Sequence, residues 1–131
     1  MAGFWVYCVQ KNIDRSGGAG LPGAMGESMH LSKQIESMYD DAVRIRQDLH
    51  RIPEIGFQLR DTQAYVLREL KQCGPDRIET PAVCGVKAVF FAKDAETTIA
   101  FRADMDGIHN DEANDVPYCS QRPGNMHGLS L

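Results

Sequence analysis

Asp104 and Asp106 leave the apolar run TTIAFRA as the tripeptide DMD. Two residues apart on an extended chain, their carboxylates point the same way. Such a pair can hold a metal, orient a histidine ligand, or stand apart as solvated charges. In α/β sheets ligand sites gather where strands end, although for an arbitrary strand end solvated charges are the commoner outcome. His127 follows Pro123 and Gly124 in a loop. Zinc needs at least three protein ligands and a binuclear site needs more, so Asp104, Asp106 and His127 amount to a weak, open and incomplete set. His109 and Glu112, in the loop between them, read as solvated, and no residue qualifies as a metal ligand in its own right.

Other chemistries find no foothold. The chain has no GxSxG elbow, no Walker loop, no GxGxxG and no HExxH, so the usual nucleophile, phosphate and zinc-protease readings do not apply. The glycine-rich RSGGAGLPGAMGES lacks both a preceding strand and a following lysine, which makes it a linker rather than a phosphate cradle. Cys8, Cys73, Cys84 and Cys119 form no CxxC pair, and each reads as a reduced, buried thiol acting as a small hydrophobe.

Composition bounds the class. At 131 residues, 43% hydrophobic and 24% charged, the chain has room for one ordinary globular domain. A domain of this size buries only about two thirds of its unfolded surface, so losing one covering layer would threaten it. The 14 Lys and Arg residues are scattered among 18 acids for a net charge of −4, which argues against nucleic acid. The apolar opening FWVYCV is too short for a signal peptide or a membrane span, and with unpaired thiols it places the chain in the cytoplasm.

Residues 1–30 are expected to form a flexible leader, and 31–131 the folded part. Leu31, Ile35, Met38, Tyr39, Ala42, Ile45 and Leu49 recur at helical spacing, which predicts an amphipathic helix. Pro53 should end it near His50 or Arg51, with a turn through Glu54 and Gly56. Asp61 or Thr62 is placed to accept from the free amides of a second helix, whose face Tyr65, Val66, Leu70 and Cys73 supplies up to the stop at Gly74 and Pro75. Residues 77–80, 85–92 and 97–103 then read as strands. GVKAVFFA and TTIAFRA, joined by the polar turn 93–96, suggest an antiparallel hairpin, the first strand needing cover on both faces.

Four blocks in order carry a resemblance: LHRIPEIG at 49–56, the helix of 62–74, FRADMDG at 101–107, and PYCSQRPGNMHG at 117–128. They resemble LHxxPExG, the following helix, RADMDA and PYxSxxPGxMHA of the amidohydrolase branch of the aminoacylase and carboxypeptidase metalloenzymes. That branch includes hippurate hydrolase, auxin-conjugate hydrolases and N-acetyldiaminopimelate deacetylase. The resemblance spans residues 44–128 and implies an α/β fold: the N-terminal part of a metallo-amidohydrolase catalytic domain, with two helices followed by strands of an incomplete mixed sheet. It further implies an inserted lid domain, two divalent metals (zinc, manganese or similar), and hydrolysis of N-acyl amino acids by a metal-bridging hydroxide with a glutamate as general base.

By this resemblance Asp106 has a supporting role near the metals, while Asp104 and His127 lie at the rim. In the family's MHxCGHD the Cys and second His are metal ligands, whereas Leu129, Ser130 and Leu131 stand here where Cys, Gly and His would fall. His109 also departs from the proline usual in that loop. The expectation is a truncated piece, inactive alone and binding no metal tightly. The alternative is a non-catalytic interaction protein that pairs with a full-length relative, or self-associates through uncovered apolar surface.

Overall fold

The computed structural model describes residues 33–91 and 97–127, together with the backbone of 3–10. Two helices stand beside a four-stranded mixed sheet, and a two-stranded ribbon closes the described chain. This is the α/β arrangement expected.

Helix α1 spans Tyr39–Arg51. Asp40 and Asp41 in its first turn and His50 and Arg51 in its last complement the helix dipole. It ends where predicted, because Pro53 forces Ile52 out of the helical region, to φ −121° and ψ 43°. Residues 33–37 are helical too, but a turn at Met38 interrupts the stripe that the sequence reads as one helix. There Ser37 Oγ donates to the Gln34 carbonyl at 2.7 Å, and the Met38 amide closes a tight turn on Ile35. Little holds this segment: Ile35, Met38 and Tyr39 are each more than 60% exposed.

Helix α2 spans Arg60–Gln72 and stops at Gly74, whose φ of +66° is the left-handed helix-ending conformation. Its N-terminus corrects the sequence expectation, since neither Asp61 nor Thr62 caps it. The Glu54 carboxylate accepts from both amides instead, Asp61 N at 3.2 Å and Thr62 N at 2.8 Å. Arg44 of α1 reaches across to α2, donating to Glu69 Oε2 at 3.0 Å and to the Tyr65 hydroxyl, which itself donates to Asp48.

The strands are β1 Gly3–Gln10, β2 Arg77–Glu79, β3 Val86–Phe90 and β4 Thr97–Asp104, in the sheet order β2-β3-β1-β4. Two expectations change here. Gly3–Gln10 is not leader but a strand, parallel to β3 (Val6 opposite Ala88) and antiparallel to β4 (Val6 opposite Phe101). The rest of the expected leader, 11–30, lies outside the described residues. Consequently β3 and β4 run antiparallel without forming a hairpin, because β1 separates them. The polar turn at 93–96 also lies outside the described residues. An aromatic and β-branched run such as FWVYCV suits a pleated site between two strands.

The core is small. Leu59, Cys84, Val86 and Met105 form its buried cluster, with Val66, Leu67 and Leu70 of α2 packed against it. No residue of α1 is fully buried, and every residue of β4 is exposed. Cys84 is the buried thiol expected; Cys73 is exposed and Cys119 half-buried, and all three are free.

Candidate functional site

The motif blocks converge on Gly107. Its amide donates to the Glu54 carbonyl at 2.7 Å, and it forms a parallel bridge with Ile55. Immediately after it, β5 (Ile108–His109) pairs antiparallel with β6 (Asn125–Met126). A Cβ at residue 107 would lie 2.8 Å from the Met126 carbonyl oxygen and 3.1 Å from Pro53 Cβ, so LHRIPEIG, FRADMDG and PGNMHG approach here so closely that an added methyl requires the neighbouring backbone to shift. Two further bonds lock the junction. The Gln121 amide donates to the Arg51 carbonyl at 2.9 Å, and Arg122 pairs with Asp61 and with the buried Glu54.

This junction separates the two aspartates. Asp104 ends β4 and accepts from Arg102 at 2.8 Å, on an exposed surface. Asp106, half-buried beyond the strand, lies close enough to His127 for its charge to act on the ring. Burial, followed by the nearby His50, holds the His127 pKa below its ordinary value, and the Asp106 charge opposes that shift. His127 Nε2 is buried without a hydrogen-bond partner.

Beside this point stand His50, to which the sequence reading gave no role in the site, and Glu112, which it read as solvated. His50 Nε2 sits 2.6 Å from Glu112 Oε2, and Glu112 also accepts from Asn114 at 2.8 Å. Glu112 is therefore not the solvated loop carboxylate expected. The Asn114 bond first and the His50 bond second hold its carboxyl below the ordinary range. Tyr118 packs edge-on to His50 and under the Arg46 guanidinium. The position of His50 inside LHRIPEIG was the available signal. His109 stays exposed, bonded to Asn125. Cys119 Sγ accepts from the Val116 amide and stands 2.9 Å from the carbonyls of Asn114 and Val116.

A cavity of about 620 Å³ opens beside His127. Ala42, Ile45 and Leu49 of α1 line it together with Val66 and Leu70 of α2, Cys73 just past the end of α2, Ala103 and Met105. Its volume is that of a small-molecule site, but its lining is chiefly apolar.

Among the described residues no group of three or more His, Cys, Asp or Glu side chains could hold a metal ion. His127 Nε2 offers one unengaged nitrogen, while Asp104, Glu112 and His50 are already paired. No helix of the described residues is long and apolar enough to cross a membrane.

The chain is similar to several curated bacterial proteins. It is 38% identical over 91 residues to an N-acetyldiaminopimelate deacetylase of Exiguobacterium sibiricum, a match covering 66% of this chain and 24% of the relative. To those of Bacillus subtilis and Bacillus velezensis it is 40% and 42% identical, over 67% and 65% of this chain and 24% and 23% of theirs. The chain thus spans about a quarter of the length of the curated relatives it matches. No family model matches, and no solved structure matches.

Proposed function

From this similarity we propose that the chain is part of a metal-dependent catalytic domain of the amidohydrolase family of these deacetylases, whose whole form hydrolyses the amide bond of N-acyl amino acids. These 131 residues do not catalyse the reaction alone. The carrying observation is the junction at Gly107, which gathers three family-like blocks around Asp106 and His127. In this reading Asp106 supports the centre through His127, while Asp104 and His127 form its rim. The two divalent metals, zinc or manganese, belong to the whole enzyme, where they would activate the attacking water, and the protein is cytoplasmic.

The test is hydrolysis by the purified chain of N-acetyl and N-benzoyl amino acids, with and without added zinc, manganese, cobalt or nickel. No amino acid is released. Metal-dependent release abolished by Asp106→Ala, and absent from a mock purification, would overturn the proposal.

A second reading is favoured by the open apolar cavity and the exposed strand β4: the chain pairs without catalysis with amidohydrolase polypeptide. An unpaired, apolar edge and face are surfaces on which another chain assembles.

A further inference from the structure

Independently of the family reading, we propose that the slot between β3 and β4 is an acceptor site for one extended, uncharged peptide strand, and that β1 is its tethered, exchangeable occupant. β1 lies antiparallel to β4 over its whole length, from Gly3 opposite Asp104 to Gln10 opposite Thr97, and parallel to β3 from Phe4 opposite Val86 to Cys8 opposite Phe90. Among the described residues β1 is the sole strand neighbour of β4, and its main contacts are with these two strands. Taking it out leaves β4 without a strand partner and opens the edge of β3 beside the buried Val86, Ala88 and Val89. A strand set between two others presents amides and carbonyls to both, so the occupant must be extended and free of internal proline. GFWVYCVQ meets that demand, with the aromatic and β-branched content of a strand and no charge.

A second observation is independent of the pairing. β3 and β4 lie between the motif blocks, which run from Leu49 to Gly128, and a match of 91 residues that contains those blocks cannot reach back to Gly3–Gln10. The acceptor strands thus belong to the stretch shared with the relatives, and the occupant does not. Its composition gives the reason to keep it seated. FWVYCV is six apolar residues with neither charge nor proline, the kind of segment that stacks on copies of itself when left free. Between β3 and β4 its backbone is paired on both sides. The tether holds it there at an effective concentration of roughly millimolar, so free peptide of the same sequence competes weakly.

The register supplies the probe. Residues directly opposite in an antiparallel pair have Cα atoms about 4.5–5.5 Å apart, a span that a disulfide bridges. Cys8 stands opposite Ile99, and Tyr7 opposite Ala100. In the full chain carrying Ile99→Cys, oxidation by glutathione disulfide joins the introduced thiol to Cys8 within one chain, as read by mass spectrometry. Ala100→Cys, on the other face of the strand, gives no such link. Absence of the Ile99→Cys link would overturn the seating of β1, and a link formed between chains would assign the strand to a second copy; the proposal falls in both cases. Exchange is then read in the full chain carrying Cys8→Ser and Ile99→Cys, offered a free peptide of residues 3–10. Adding Val6→Pro to the chain unseats β1 and speeds disulfide capture of the peptide by at least about tenfold. Equal capture with β1 intact and disrupted would overturn the proposal. Should the proline-bearing chain lose the circular dichroism of its helices, the chain with β1 intact decides. It captures the peptide slowly and the same peptide bearing Val6→Pro not at all, and equal capture of the two peptides would overturn the acceptor site.

Discussion

His50 Nε2 lies 2.6 Å from Glu112 Oε2, joining two side chains 62 residues apart that are 11% and 8% exposed. The pair pins the 110–122 loop to the last turn of α1, beside the wall from which His127 faces the cavity. Asn114 on one side and Tyr118 on the other complete the enclosure. A carboxylate shielded in this way depends on its two partners, and the dependence is readable as a function of pH.

The Glu112 carboxyl is held below the ordinary glutamate value of 4.5, chiefly by Asn114 and then by His50. Its folded pKa being depressed, its stabilising contribution is complete above the unfolded value and is lost as pH falls through the folded one. Glu112→Gln therefore lowers the melting temperature at neutral pH, and the gap to wild type closes upon acidification below 4.5. Melts recorded across this range check it; a gap independent of pH would contradict the assignment.

For His127 the folded pKa is also depressed, by burial first. The neutral imidazole is the form the fold prefers, so its contribution is present above the ordinary value of 6.5 and disappears as pH drops through the folded value. In an NMR titration the His127 ring protons reach midpoint below 6.5. Asp106→Asn moves the midpoint lower still, because the aspartate charge favours the imidazolium. An upward move would show that the two do not interact as described.

Gly107→Ala forces a Cβ to within 2.8 Å of the Met126 carbonyl oxygen. The neighbouring backbone has to shift to admit it, and overpacking of this kind costs about 1–3 kcal/mol. Urea denaturation checks the loss. Gly74→Ala is the comparison: no atom lies within 4 Å of its added Cβ, and only the positive φ opposes it, at about 1 kcal/mol. A smaller loss at 107 than at 74 would mean that the blocks do not meet there.

Glu54→Ala removes the acceptor for the first amides of α2 and the buried partner of Arg122. The loss is about 1–2 kcal/mol, as for deletion of a helix cap. Hydrogen exchange localises the effect: the Asp61 and Thr62 amides exchange faster in the variant than in the wild type. Unchanged exchange at both would remove Glu54 from the capping role.

The helices and most strand limits were legible because their signals are local. Apolar spacing near 3.6 marks a helix wherever it lies, Pro53 and Gly74 terminate helices by their own backbone restrictions, and residues 77–79, 86–90 and 97–104 carry the aromatic and β-branched content of strands. The motif blocks were legible too, as spacings along the chain. What the tertiary structure decided were the partners. The cap of α2 comes from Glu54 rather than from Asp61 or Thr62, since the Pro53 turn folds the carboxylate back over the helix end. Strand β1 enters between β3 and β4, because adjacency in a sheet depends on which edge is free and not on sequence order. DMD was read as one feature, yet the strand ends between its two carboxylates, sending Asp104 to Arg102 and Asp106 to His127. His50 and Glu112 carry no local sign of each other. Only the return of the chain through Gly107 brings them within hydrogen-bond reach.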